Sequence, residues 1–296
     1  MIILGSGTSH GVPVIGCDCS VCTSSDPHDK RNRSSAFIAE PEKILIDCGP
    51  EFRIQALRYG VKNVDSVFVT HSHADHIHGI DDLRIFSHTK SGDCNSKKGN
   101  ETEGDGLAVY ASSECVQDIK DRFSYAFHEV QVGGGKPKLN LIDLSSSELP
   151  VTLGEIEVMP VKLFHGNLLD YGYLFSQTEK DGKKHSIAYL TDCSFIPDES
   201  IELIHERGGV LDHLVIDALR ERPHSTHFSF DQAMEAADKI GARHTWFIHM
   251  THNLSHEEIK SYINERLPFY KNLLKISHQG GSVAPSFDGL VLETQA

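Results

Sequence analysis

The segment His71-Ser72-His73-Ala74-Asp75-His76 follows directly on the apolar run Val67-Phe68-Val69-Thr70. β-Branched and aromatic residues in such a run predict a buried strand. Four side chains able to bind a metal ion then fall within six residues, fanning out from the turn where that strand ends. Imidazole nitrogens and a hard carboxylate are the donors a zinc-like ion takes in a catalytic site. A polar surface loop can be rich in histidine by chance. Three His and one Asp in the spacing H-x-H-x-D-H make a metal centre the better reading. The constraint on the fold is severe, because the remaining ligands have to arrive from distant parts of the chain.

Three later segments offer them. His165 ends the strand-like stretch Val158–Leu163 within Leu163-Phe164-His165-Gly166, Asp192 ends Ala188-Tyr189-Leu190-Thr191, and His249 closes Trp246-Phe247-Ile248. Each sits where an apolar strand gives way to a loop, a place from which a rigid scaffold can aim a side chain. A second constellation is Cys17-Asp18-Cys19-Ser20-Val21-Cys22. Three thiols in C-x-C-x2-C spacing on a Gly-rich loop can wrap one tetrahedral zinc and leave one ligand outstanding. His252, three residues beyond His249, is the candidate fourth, and the offset lets the two imidazoles serve different ions if the chain turns between them. Buried or redox-active thiols are the plainer alternative. Cys48, Cys94, Cys115 and Cys193 show no ligand spacing.

With 28 basic against 42 acidic side chains in 296 residues, the formal net charge is −14. Such a surface repels a long polyanion and argues against extended nucleic acid as a partner. The start Met1-Ile2-Ile3-Leu4-Gly5 has no basic region of a signal peptide, and no segment approaches the roughly 18 apolar residues of a membrane span. Seven Cys, three of them within six positions, suit a reducing compartment better than a disulfide framework. The expectation is a soluble protein of the cytoplasm, or of cytoplasm and nucleus, without a membrane partner.

Short apolar runs recur at Ile2–Leu4, Ala36–Ile38, Ile44–Ile46, Val67–Thr70, Leu107–Tyr110, Leu139–Ile142, Glu155–Val161, Tyr171–Phe175, Ser186–Leu190, His213–Ile216 and His244–Ile248. Most read as strands. Val116, Ile119, Phe123 and Phe127 predict one helix over 114–128. Capping boxes at Ser229-Phe230-Asp231-Gln232 and Ser255-His256-Glu257-Glu258 open two more. The pattern predicts an α/β chain of two packed sheets with helices outside, forming one domain over 1–296. Residues 89–106 are rich in Ser, Gly, Asn, Lys and Glu, which predicts a mobile surface insertion, with a lid over the site as the alternative.

Taken together, Gly5-Ser6-Gly7-Thr8-Ser9, the triple-Cys loop, the H-x-H-x-D-H cluster and the pair His249/His252 resemble the metallo-β-lactamase superfamily. Within it they resemble the PhnP-like phosphodiesterases, relatives of tRNase Z. The likeness runs from Ile3 to about Ser255. It implies an αββα sandwich of two mixed sheets and assigns roles by position. His71, His73 and His165 would hold one divalent ion, Asp75, His76 and His249 a second, and Asp192 would bridge them, the ions being Zn or Mn. Cys17, Cys19, Cys22 and His252 would hold a structural zinc. In Arg220–Ser229, His227 matches a histidine that contacts the scissile phosphate, with His224 as a second contact. His227, Asp75 and His224 thus form the implied catalytic set. The implied reaction is hydrolysis of a small, cyclic phosphodiester by a hydroxide shared between the ions, in a monomer or homodimer. A tRNase-Z-like endoribonuclease is the first rival, although the mixed-charge segment 89–106 poorly matches that group's basic or Gly-rich arm. A thioester or lactone hydrolase of the glyoxalase II type is the second.

Overall fold

A computed structural model of the chain describes residues 1–89, 106–128, 135–145 and 149–294. The predicted insertion 89–106 therefore lies almost wholly outside the described residues, as does Cys94. Two mixed sheets pack face to face. The first runs in the order β1 (Ile2–Gly5), β2 (Ser35–Ile38), β3 (Ile44–Ile46), β4 (Ser66–Phe68), β5 (Leu107–Ala111) and β6 (Leu139–Asp143). The second comprises β7 (Val151–Leu153), β8 (Ile156–His165), β9 (Leu168–Thr178), β10 (Lys184–Leu190), β11 (His213–Asp217), β12 (His244–Ile248) and β13 (Ser282–Pro285), again neighbouring in chain order. Each sheet begins as an antiparallel meander and becomes parallel, from β3 onward in the first and from β10 onward in the second.

The parallel strands read as unbroken apolar runs because both their faces are buried. Ile44 and Ile46 point between the sheets, while Leu45 points to the helices outside. Phe68 packs inward on Tyr173 and Phe175, and its neighbours Val67 and Val69 face outward. The same alternation places Val215 between the sheets and Leu214 and Ile216 on the outer layer. The first sheet's outer face is covered by α1 (Phe52–Tyr59), α3 (Arg84–Thr89) and α4 (Ser113–Arg122), the last extended by α5 (Ser124–Phe127). The second sheet's outer face is covered by α6 (Asp198–Gly208), α7 (Phe230–Ile240), α8 (His256–Arg266) and α9 (Lys271–His278).

Both predicted capping boxes form, at Ser229 and Ser255. The single helix expected over 114–128 is two helices: the chain breaks at Phe123, whose φ of −110° and ψ of 34° leave helical geometry. An apolar stripe at helical spacing does not report such a break, because Val116, Ile119 and Phe123 still pack on one core. Strands β7 and β13 were invisible to the pattern, being short, half-buried edges with weak alternation.

Candidate metal centre

Where parallel strands run side by side, their C-terminal ends make a crevice that suits a ligand site. Here both sheets contribute to one such edge. Asp47 follows β3, His71 follows β4, Asp192 follows β10, Asp217 ends β11 and His249 follows β12. Short α2 (Ala74–Ile77) carries Asp75 and His76 back into the cleft, and β8 delivers His165 from its last position. Among the described residues, the non-glycine positions with positive φ are Asp47 at 57°, Asp192 at 56° and His249 at 63°. All three lie at this edge. Left-handed backbone is tolerated by Asp and His better than by most residues, and it persists where the surroundings over-determine it.

The structure brings the seven sequence-predicted residues together in two adjoining groups. Donor atoms of His71, His73 and His165 lie within 4.8 Å of one another, and so do those of Asp75, His76, Asp192 and His249. Asp192 Oδ2 is 3.3 Å from His76 Nε2, 3.3 Å from His249 Nε2 and 3.8 Å from His71 Nε2, which puts it between the groups. All are buried except His73, which opens the cluster to solvent.

Behind the imidazoles stands a layer of acceptors. His76 Nδ1 donates to Asp47 Oδ2 at 2.7 Å, and His165 Nδ1 donates to the Thr226 carbonyl at 2.7 Å. Carboxylates and carbonyls only accept, so each Nδ1 carries a proton and Nε2 is the ring atom left for the cleft. Asp47 is itself oriented by the Thr70 N–H at 2.8 Å and the Thr70 hydroxyl. His71 Nδ1 has the Thr70 hydroxyl at 3.0 Å and Asp170 at 3.5 Å. Sequence reasoning missed Asp47, Asp170 and Asp217. Ile44-Leu45-Ile46-Asp47 and Val215-Ile216-Asp217 carry the same strand-end signal that singled out Asp192, so two of the three were findable.

Electrostatics fit cation binding. Burial holds the imidazoles of His71, His73 and His165 below their usual range, so they are neutral, which is the ligating form. Burial pushes His76 down as well, but Asp192, Asp47 and Asp75 outweigh it and raise its pKa. Burial alone would raise Asp75 and Asp192; the histidine charges around them prevail and hold both below the carboxylate range. His76 Nε2 and His249 Nε2 are buried without a hydrogen-bond partner. Buried polar atoms of that kind are costly unless something binds them. The donor set therefore fits divalent metal, such as zinc.

His227 stands beside this cluster. Its Nδ1 donates to Asp217 Oδ2 at 2.8 Å, and its ring lies 4.5 Å from that of His165 and 4.6 Å from that of His249, centroid to centroid. Burial lowers its pKa, but Asp217 more than compensates, lifting it to about 9. His224 is exposed, with its ring 5.4 Å from that of His227 and its Nδ1 accepting from the Thr226 hydroxyl at 3.2 Å. It is a rim residue, not part of the buried set.

The thiol loop closes as its spacing suggests. The Sγ atoms of Cys17, Cys19 and Cys22 lie 3.4, 3.4 and 3.3 Å from His252 Nδ1. A tetrahedral ion with ordinary Zn–S and Zn–N bonds separates such atoms by about 3.5 Å. Backbone N–H groups of Cys22 and Val14 point at Cys19 Sγ and Cys22 Sγ, at 3.4 and 3.3 Å, as they do toward thiolates. The other cysteines described, Cys48, Cys115 and Cys193, are buried singly in the apolar layers.

A family model described as a beta-lactamase superfamily domain matches residues 42–250. The chain belongs to that superfamily. A crystal structure of a diphosphatase from the PhnP family is 37% identical, covers 99% of this chain and 96% of its own, and superposes with a TM-score of 0.76. This chain is thus PhnP-like within the superfamily. The octanoyltransferase of Porphyromonas gingivalis is 36% identical over 85% of this chain and 46% of its own length. Ribonuclease Z of Haloarcula marismortui is 24% identical over 63% of this chain and 55% of its own. The chain spans about half the length of these two curated relatives. Among the described residues, no helix is long and apolar enough to cross a membrane.

Proposed function

We propose that the chain hydrolyses a small phosphodiester, a cyclic one above all, with two divalent ions in the cleft. His71, His73 and His165 would hold one ion, and Asp75, His76 and His249 the other, with Asp192 shared. Zinc or manganese would serve. Ions so placed would supply Lewis acidity, stabilising charge on phosphoryl oxygens and acidifying water. The protein's own part is positioning. Asp47 fixes the His76 ring through its Nδ1–H, and the left-handed backbone at Asp192 and His249 turns both side chains into the cleft.

The observation that carries the reading is the His227–Asp217 pair. Asp217 takes the Nδ1 proton at 2.8 Å, so the ring is oriented and its Nε2 is left to face a substrate held beside His165 and His249. Such a group can donate a proton to a departing alkoxide or a hydrogen bond to a phosphoryl oxygen. His224 at the rim is a secondary contact. Three reduced thiols and one imidazole around a structural zinc would suit a cytoplasmic setting.

A ribonuclease-Z-like activity is the second reading, favoured by relatives of that name, although a net charge of −14 disfavours a long polyanion. Acyl transfer, the named activity of the Porphyromonas gingivalis relative, belongs to a protein of which less than half is matched. Metal-reconstituted protein offered bis-p-nitrophenyl phosphate, 2′,3′-cyclic nucleotides, a pre-tRNA and S-lactoylglutathione separates these readings. Turnover of the small phosphodiesters is expected. Cleavage of the pre-tRNA or the thioester alone would replace the proposal with the corresponding rival.

A further inference from the structure

The turn that follows β12 holds two histidines facing different ways: His249 into the dinuclear cluster and His252 into the thiol set. Nothing in the turn's own sequence explains how both directions are maintained, least of all with His249 at a φ of 63°. The most deeply buried cation among the described residues supplies an answer. The Arg31 side chain is 0% exposed, and its carboxylate partner, Asp29 Oδ1, is a long 3.5 Å from Nη2. Its shorter bonds go to the turn: Nη1 donates to the Thr251 carbonyl and Nη2 to the Leu254 carbonyl at 3.1 Å. A guanidinium removed from water is tolerated only where such acceptors are fixed, so the grip orders both sides.

The backbone of Arg31 is anchored at the other end to the thiol loop. Arg31 N–H donates to the Val12 carbonyl and Val12 N–H donates to the Arg31 carbonyl, both at 2.8 Å. Gly7 lies against this bridge, and a Cβ there would meet Arg31 Cβ at 2.8 Å, so only glycine allows the approach. Asp29 extends the clamp by accepting the His256 N–H at 2.7 Å. One residue therefore joins the loop bearing the cysteines, through its backbone, to the turn bearing both histidines, through its side chain.

We propose that Arg31 is a positioning residue that sets the turn 249–254, so that the thiol set and the dinuclear cluster are held in register with each other. The proposal rests on the reading of both clusters as metal sites. It implies that loss of the Arg31 grip weakens ion binding at two places about which Arg31 itself does nothing chemically.

The test uses the full chain, stripped of metal and titrated with cobalt(II). Thiolate-to-cobalt absorption in the near ultraviolet reports the thiol set, and visible ligand-field bands report the His/Asp cluster. Arg31→Gln should weaken cobalt binding at the Asp75/His76/His249 group by about 10–100-fold, the usual cost of losing a group that holds a metal ligand in place. The thiolate band should shift or weaken as well. Arg31→Lys, which keeps the charge and one donor arm, should fall between Gln and wild type, and it serves alone if the Gln variant does not fold. A lowered Tm with both cobalt affinities unchanged in the folded variants would reduce Arg31 to a structural role and overturn the inference. Wild-type protein lacking the thiolate band and a two-ion titration would instead overturn the metal reading and take this inference with it.

Discussion

The His/Asp cluster and the thiol loop share one turn, yet they are held in opposite ways. The cluster is built on the ends of strands from both sheets, inside a core of Tyr, Phe and Ile side chains that forms whatever the ions do. Its histidines are oriented from behind by Asp47, Asp217 and the Thr226 carbonyl. The thiol loop has only Val12, Val21 and Cys22 buried in its own small core, with Val14, Cys17 and Cys19 half-covered around them. A patch of that size cannot order a loop by burial, so bonds to a metal would do it. The contrast teaches where each site's free energy goes: the cluster keeps strain and charge in place for chemistry, and the loop spends its ligands on folding. Removing a ligand should therefore cost activity in the first region and stability in the second.

The sharpest way to break that contrast is Asp192→Ala. It removes the donor standing between the two groups, so turnover should fall to background and fewer than two ions should remain in the cluster by metal analysis. The Tm should drop only modestly. A variant keeping two ions and measurable turnover would refute Asp192 as the shared ligand.

His227→Ala comes next, with kcat expected to fall by about 10²–10⁴. Metal content should stay the same, because the seven donors are complete without His227. The loss should shrink on substrates with good leaving groups such as p-nitrophenolate if His227 gives up a proton. A loss equal across leaving groups would assign it to charge stabilisation, and emptied metal sites would remove it from the mechanism.

On the other side of the turn, Cys19→Ala should chiefly destabilise. A loss of roughly 3 kcal/mol would lower the Tm by about 5 °C in a chain of this size. Equal stability of variant and wild type would end the structural-zinc reading.

How much of this was legible beforehand follows from the kind of constraint each residue obeys. The ligand cluster could be read because metal binding demands particular residue types at strand ends, and His71 through His76 state that demand in six positions. Asp47 and Asp217 carried the same strand-end signature but no histidine neighbours to draw notice, and what they do depends on contacts 29 and 10 residues away in the chain. Arg31 could not be read at all. Nothing in Arg31-Asn32-Arg33 says which of the two guanidiniums is buried, and it is tertiary packing that sends Arg31 inward while Arg33 pairs with Glu51 near the surface. The break at Phe123 escaped for the converse reason, since its apolar periodicity is real and only the backbone departs from it.

Asp47→Asn probes the supporting layer and should be milder. It keeps an acceptor for His76 Nδ1–H but removes the charge, so affinity for the second ion should fall by about 10–100-fold with the fold intact. Equal metal affinity would mean that Thr70 and packing suffice to hold the His76 ring.

The smallest effect on function is expected at a half-buried carboxylate outside both sets of donors. Asp288 accepts from Ser6 N–H, Ser6 Oγ–H, Asn32 N–H and Asn32 Nδ2–H, each at 2.8 Å, yet burial outweighs these donors and pushes its pKa up to about 6. The folded protein then keeps this proton up to about pH 6, whereas the unfolded chain releases it near the ordinary value of 3.8. Between those two pH values the folded state binds more protons, so stability contributed by this group falls as pH rises across the window and stays low above it. Asp288→Asn cannot titrate. Its amide also meets Asn32 donor to donor, so the variant should be less stable overall while turnover at neutral pH is unchanged. The decisive quantity is the difference in Tm between wild type and variant, which should shrink from pH 4 to pH 6. A difference that grows over that range would mean the four donors, not burial, govern Asp288.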